Sequence, residues 1–298
     1  MKFKQLLDLV EIRVVIPSLA PLLLGITYSA WRYQRINWLN TALLVLATVS
    51  VHLAVNTFNR YEDNKRQVSN EFIRESGTPN DGPAVTEKTV LKVALFLGIL
   101  AAVAGIAVAL LTTYVTWIIG ILSFAVGYLY SAGPKPITNT PFGEFVSGIT
   151  MGYFIFVAEV YVDTLLPITL MVLLRWFLVS LPLVLLIANI MLANNISDHE
   201  EDEENNRHTL VHYLGLTAAK RLYLAWVGLA YFEIFLLTLV GWLPLTCWAM
   251  VALLPLVWQK ARAFVNHPVK EETFILAIQN LTLTMLGLAL TIFIGLYI

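Results

Sequence analysis

An all-α bundle of membrane-spanning helices is the fold this sequence predicts, on three observations. Of the 298 residues, 58% are hydrophobic and only 13% are charged, against roughly 25% charged in ordinary soluble domains. The apolar residues come in periodic runs of roughly 17–25, the length at which a helix crosses a hydrocarbon core. More than half of the 20 acidic residues are gathered into two connecting segments, 59–90 and 195–219, rather than spread along the chain.

Nine runs qualify as spans, at about 14–31, 38–58, 91–111, 114–131, 145–162, 172–193, 220–240, 242–258 and 274–297. Placing the N-terminus inside puts all of the 19 Lys and Arg residues except Arg32, Arg35 and Arg175 on the cytoplasmic side. Short cytoplasmic loops carry the excess of basic residues in membrane proteins, so the expected topology is N-terminus in, C-terminus out. The first run lacks the short apolar core and small-residue cleavage site of a signal peptide and is read as retained. The single cysteine, Cys247, leaves neither an intrachain disulfide nor a thiolate metal cluster to consider. The net charge of −1 says little in itself, and no nucleic-acid partner is expected. Membrane lipid is the expected surrounding.

The second and sixth runs each end in a polar signature. The first reads Ala54-Val-Asn56-Thr-Phe-Asn59-Arg-Tyr-Glu-Asp63, the second Ala193-Asn-Asn195-Ile-Ser-Asp198-His-Glu-Glu-Asp202. Displacing the first by 139 positions pairs Ala54 with Ala193, Asn56 with Asn195, Asn59 with Asp198 and Asp63 with Asp202. Residues four apart share a helix face, so each signature presents two oxygen donors together, both at the cytoplasmic surface. The offset spans four helices and predicts two four-helix halves of the same orientation plus a ninth helix, with the shared site at their interface.

Hard oxygen donors of this kind suit Mg²⁺, which is held by one or two carboxylates together with substrate phosphates and water. Histidine and thiolate are too scarce nearby for zinc. Such metals neutralise the charge growing on a departing diphosphate, and Arg66 after the first signature, Arg207 after the second and Lys135 in the middle loop are placed to share that work. The apolar helices would house a lipid chain and keep water from a reactive cation. Asn56, Asn194 and Asn195 could add further oxygens or supporting hydrogen bonds.

Several residues have plainer readings. The run Glu200, Glu201, Glu203 and Glu204 reads as a solvated face. His52 reads as a packed neutral histidine. Glu159, near the outer end of the fifth run, reads as interfacial. Glu233 lies mid-span, where a carboxyl is costly and a functional role is suspected by default, although a buried hydrogen-bonded or protonated residue fits equally. The segment Tyr130-Ser-Ala-Gly133-Pro134-Lys135-Pro136 ends the fourth run in a tight turn.

These motifs together resemble the UbiA superfamily of intramembrane prenyltransferases, and within it the branch that prenylates 1,4-dihydroxy-2-naphthoate in menaquinone synthesis. The resemblance rests on Asn56 to Arg66, on Tyr130 to Ile137 with Thr140-Pro-Phe-Gly-Glu144, and on Asn194 to Asp202 followed by Arg207-His-Thr-Leu210. Arg13 with Pro17-Ser-Leu-Ala-Pro21 and Gly25 is similar to the family's first helix. The resemblance implies a single transmembrane prenyltransferase domain over 1–298, with nine helices and active-site loops at about 59–90, 132–144 and 195–219. It implies that Asn59, Asp63, Asp198 and Asp202 coordinate Mg²⁺, two ions, bridging to a polyprenyl diphosphate. It further implies that Arg66, Lys135, Arg207 and Tyr130 contact the diphosphate, with Asn56 and Asn195 in support and Arg13 directed at the aromatic acceptor. The implied reaction ionises the allylic diphosphate, joins the prenyl group to the naphthoate ring and releases CO₂, giving demethylmenaquinone.

This chain departs from the branch at several points. Thr57 stands where relatives often carry Asp, Ser69 where another acid is expected, Ser197 where Arg is frequent and His208 where Lys is. The first signature therefore offers one carboxylate where relatives often offer two or three, and weaker Mg²⁺ binding is expected there. Two other readings stay open: another acceptor (a 4-hydroxybenzoate, a homogentisate-type ring or a glycerol phosphate), and an ion-coupled transporter. The surface position of the acidic signatures speaks against the transporter, whose sites sit near mid-bilayer.

Overall fold

The computed structural model describes residues 3–12, 15–66, 85–132 and 135–298, with the side chains of residues 3, 4, 8 and 63–66 outside that description. Every regular element among the described residues is helical. Among the described residues seven helices are long and apolar enough to cross a membrane. In chain order the helices are α1 (Phe3–Leu9), α2 (Ile16–Tyr28), α3 (Trp38–Arg66), α4 (Glu87–Leu111), α5 (Tyr114–Ser131), α6 (Gly143–Thr164), α7 (Leu170–Ser197), α8 (His199–Glu204), α9 (Leu210–Leu214), α10 (Leu216–Leu239), α11 (Leu254–Asn266) and α12 (Phe274–Ile294).

Two of the nine expected spans are not single long helices. The first is α2, whose 13 residues are extended by one π-helical turn, Ser29–Tyr33, before Gln34 takes a left-handed conformation and stops it. The eighth is a 3₁₀ segment, Leu245–Ala252, followed by α11. Gly241 at φ +74° and Pro244 break the chain before that segment, and Pro255 opens α11. Proline at a first helical turn costs no intrahelical hydrogen bond, so the helical stretch restarts there and runs to Asn266, past the expected boundary at 258. Two other helices also outrun their expected ends: α3 continues to Arg66 and α7 to Ser197, so both polar signatures begin on helix rather than loop.

Residues 1–15 and 42–136 form one compact unit, and residues 16–41 and 137–298 a second. In the first, α4 and α5 leave Leu95, Phe96, Ile99, Ile118 and Ile121 exposed, the surface that lipid would cover. A Cβ at Gly127 of α5 would lie 2.9 Å from Val55 Cγ2 of α3, so glycine permits that close approach.

The second unit is packed around α7. Trp176, Leu183, Ile187 and Leu192 from α7 are fully buried with Phe156 of α6 and Ile234 of α10. Gly152 lets α6 lie directly on α7, because a Cβ there would meet the Val184 backbone at 2.7 Å. Polar side chains tie these helices together: Trp176 Nε1 donates to Tyr33 Oη (3.0 Å), and Asn189 Nδ2 donates to the Tyr223 carbonyl (2.9 Å).

Glu159 corrects the interfacial expectation. It is 0% exposed, because α2 crosses α6 at Gly25, where a Cβ would clash with the Glu159 side chain at 2.7 Å. Its Oε1 accepts from the Thr41 hydroxyl at 2.8 Å, and the same hydroxyl lies 3.0 Å from Asp163 Oδ1. Glu233 of α10 is likewise buried.

Candidate functional site

The end of α7 delivers the second signature as two short hydrogen-bonded turns. Asp198 N–H donates to Asn194 O (2.9 Å), closing α7, and Asp202 N–H donates back to Asp198 O (2.8 Å) across a kink at Asp198 (φ −95°, ψ 8°). The two aspartates thus keep the four-residue helical spacing although the helix axis changes between them. Asn206 at φ +55° then reverses the chain, and Arg207 N–H reaches the Asp202 carbonyl at 2.8 Å.

That reversal brings the Arg207 side chain back over the site. Its Nη1 lies 3.2 Å from Asp202 Oδ1, and its Nε donates to Asn139 Oδ1 at 3.1 Å. Asn139 ends the short turn Ile137–Asn139 of the middle loop, so one guanidinium ties that loop to the second signature. The Asp198 carboxylate accepts from Asn194 Nδ2 (3.1 Å) and from the Lys270 ammonium on the same oxygen, Oδ2. Asn195 Nδ2 donates to Glu144 Oε1 at 2.8 Å, joining α7 to the first turn of α6. His212 and Glu203 pair at 2.6 Å beside a His208–His212 ring contact of 4.3 Å, bracing α8 against α9.

The site carries more oxygen than the protein satisfies. Asp202 Oδ2, Asn195 Oδ1 and Glu144 Oε2 are buried with no hydrogen-bond partner, and buried polar groups are rarely left so. Burial pushes the Asp202 carboxyl up to about 6. Arg207 and Lys270 pull it down, and Asp198 and Glu201 push it up. Burial thus disfavours its charged form although Arg207 and Lys270 stand beside it. An all-oxygen donor set with spare lone pairs fits a hard cation such as Mg²⁺. Among the described residues no three His, Cys, Asp or Glu side chains stand together at metal-holding distance.

In the first unit α3 stays helical through Arg66, which puts Asn56, Asn59 and Asp63 on one face of it at spacings of three and four. Arg60, one residue after Asn59, is fixed by α1 and the residues after it: Nε and Nη2 contact Glu11 Oε1 at 2.9 Å, and Nη1 donates to the Leu9 carbonyl at 3.3 Å. Thr57, where an acid was expected, is fully buried, with its hydroxyl on the Leu53 carbonyl at 2.7 Å. Tyr130 lies in the last turn of α5, and Lys135 is exposed. The side chains of Asp63 and Arg66, and Arg13, Gly133 and Pro134 altogether, lie outside the described residues.

Among the expected residues, then, Asp198, Asp202, Asn195 and Arg207 come together. Asn139 and Lys270 join them without having been singled out, and Glu144 was noticed only as part of the middle loop. They reach the site from 68, 72 and 51 positions away, a separation that no spacing rule could expose.

Comparison with known proteins places these features. A family model for the UbiA prenyltransferase family matches residues 18–286. A Bacillus subtilis protein named 1,4-dihydroxy-2-naphthoate octaprenyltransferase is 31% identical over 252 residues, covering 84% of this chain and 78% of the relative. A Mycobacterium tuberculosis protein of the same name is 28% identical, covering 79% of this chain and 77% of its own. Among solved structures, the apo form of a UbiA homolog from Aeropyrum pernix has a TM-score of 0.68 at 19% identity, covering 96% of this chain and 97% of its own. A UbiA homolog from Archaeoglobus fulgidus, solved with GPP and Mg²⁺, has a TM-score of 0.66 at 12% identity, covering 99% of this chain and all of its own. At those identities the structural likeness speaks to the fold.

Proposed function

The chain belongs to the UbiA prenyltransferase family, and from that premise we propose that it transfers a polyprenyl group from an allylic diphosphate to 1,4-dihydroxy-2-naphthoate with loss of CO₂. The observation that carries the reading is the Asp198/Asp202 pair with its unsatisfied buried oxygen and its two basic partners. The names of the Bacillus and Mycobacterium relatives support the acceptor.

The reaction balances without an added oxidant. The allylic C–O bond breaks and its electron pair leaves with diphosphate. The electron-rich ring carbon that bears the carboxylate forms the new C–C bond. Loss of CO₂ returns the electrons of the ring–carboxylate bond to the ring, and the product is demethylmenaquinone in its quinol form. Bound Mg²⁺ would supply positive charge for the departing diphosphate. Asp198 and Asp202 of the second unit, with Asn59 and Asp63 of the first, are the proposed ligands, for two ions. Arg207 and Lys135, with Arg66 and Tyr130, are the proposed diphosphate contacts. Asn56 and Asn195 are proposed to support them with side-chain amides, and Arg13 is proposed to face the acceptor. Apolar helices exclude water from the allylic cation. The proposed topology is nine membrane crossings with the N-terminus and the site cytoplasmic, in keeping with the basic loops.

The test uses the purified chain in nanodiscs with a prenyl diphosphate, 1,4-dihydroxy-2-naphthoate and Mg²⁺, followed by mass spectrometry. A prenylated, decarboxylated product that EDTA abolishes is the expected result. Product only with 4-hydroxybenzoate or a homogentisate-type ring would keep prenyl transfer and replace the acceptor.

A further inference from the structure

Lys270 stands apart from every residue the motifs pointed to. It lies in the turn between α11 and α12, yet its ammonium donates to Asp198 Oδ2, the oxygen that also accepts from Asn194. The turn is braced within itself. The Thr273 hydroxyl donates to the His267 carbonyl (2.6 Å) and accepts from Val269 N–H (3.1 Å), while the Glu272 carboxylate pairs with His267 Nε2 at 3.0 Å. Such bracing has already met part of the entropy cost of presenting a long flexible side chain. The Lys270 side chain is 46% exposed and the Asp198 side chain only 10%, so the lysine can swing away while the carboxylate stays.

An ammonium seated on a carboxylate oxygen takes the place of a metal ion. Mg²⁺ sits about 2.1 Å from its oxygen ligands, and two cations on one oxygen repel each other strongly where water is scarce. Metal binding at Asp198 Oδ2 would therefore displace Lys270. Once displaced, the ammonium needs another anion, and a diphosphate arriving with the metal brings oxygens within reach of the same short turn. We propose that Lys270 is a placeholder that holds Asp198 in the empty enzyme, yields it to the metal, and then binds the diphosphate. The proposal rests on the reading of Asp198 and Asp202 as the metal and diphosphate site. Its consequence is coupling: the metal alone binds poorly because it must evict the lysine, and metal with diphosphate binds well because the lysine gains a partner.

The test measures binding by calorimetry on the full chain in nanodiscs, first with Mg²⁺ alone and then with Mg²⁺ and inorganic diphosphate. For K270Q the expected result is Mg²⁺ alone bound about tenfold tighter than by the wild type, and diphosphate with Mg²⁺ about tenfold weaker. In steady state the KM for prenyl diphosphate should rise by a similar factor, with the acceptor KM unchanged. K270R should restore both diphosphate values. Mg²⁺ affinity of K270Q equal to or below the wild type overturns the proposal, because a lysine that only stiffens the turn would give that result. If the wild type transfers no prenyl group but the two binding arms shift as stated, the assigned reaction fails and the placeholder stands. If it turns over and the arms do not shift, the placeholder fails alone.

Discussion

The second unit carries two carboxylate pairs of identical sequence spacing, Glu159/Asp163 on α6 and Asp198/Asp202 at the end of α7, and they are built in opposite ways. The α7 pair is surrounded by donors that can leave: Lys270 and Asn194 on Asp198, Arg207 on Asp202. The α6 pair shares one hydroxyl, that of Thr41, and Asp163 also accepts from Asn37 N–H at 2.8 Å. No described basic side chain lies within ion-pair distance of it, and Arg35 nearby donates to the Thr164 carbonyl instead. One hydroxyl hydrogen serves one carboxyl, so the second contact needs a hydrogen that a carboxylic acid supplies. Spacing of four puts two acids on one face in both cases. What separates the proposed cation site from a buried polar fastening is the set of groups that other elements bring.

The largest difference should appear on truncation. Asp202→Ala or Asp198→Ala is expected to cut turnover on the order of 10³-fold, the scale of losing a principal stabiliser of developing charge. Thermal unfolding should show each variant still folded. Turnover within a few-fold of wild type in both would remove the α7 pair from the chemistry and erase the contrast with α6.

The next effect concerns what holds the α7 pair. Arg207→Ala loses both the Asp202 contact and the Asn139 tie, and Glu144→Ala leaves the Asn195 amide without its acceptor. Supporting residues of metal ligands typically contribute 10- to 100-fold, and each variant should lose turnover in about that range. Glu144→Gln keeps an acceptor for Asn195 and should fall closer to wild type than Glu144→Ala. If Gln and Ala are equally poor, the negative charge of Glu144 matters and not its hydrogen bond.

Much of this was legible before any coordinates. Apolar run length located α3 to α7, α10 and α12, because a membrane leaves a helix few ways to satisfy its backbone. The first and eighth spans are not single long α-helices: a left-handed Gln34, Gly241 and Pro244 decide the path there, and hydropathy is silent about them. Asp198, Asp202 and Arg207 were legible because one helix end and one reversal join them. Lys270 and Asn139 were not, since their contacts are made by tertiary packing across dozens of residues. Glu159 was misread because a carboxyl near a helix end usually faces the interface, and only the absence of a side chain at Gly25 lets α2 cover it.

Stability measurements sharpen the comparison from the α6 side. Thr41→Val keeps the volume of the side chain and removes the one hydroxyl that both acids share. A buried acceptor left without its donor costs about 1–3 kcal/mol, so Thr41→Val should lower the unfolding midpoint by several degrees while leaving KM values unchanged. A variant as stable as the wild type would mean that the two acids hold each other without Thr41.

The smallest expected effect is the most discriminating. Glu159→Gln changes one carboxyl to an amide at a position with no basic partner, and its carbonyl oxygen can still accept from Thr41. The amide keeps the Thr41 acceptor and replaces a buried carboxyl with a group of nearly the same shape, so stability should move by less than about 1 kcal/mol and turnover by less than about twofold. The same carboxyl-to-amide change at Asp202 removes a charge that faces Arg207 and that the proposed Mg²⁺ would need, and turnover should collapse there. If Glu159→Gln instead destabilises the protein strongly, the α6 carboxyls need their charge. The buried pair would then be holding a cation of its own, and both acid pairs would be sites of one kind at opposite ends of α6.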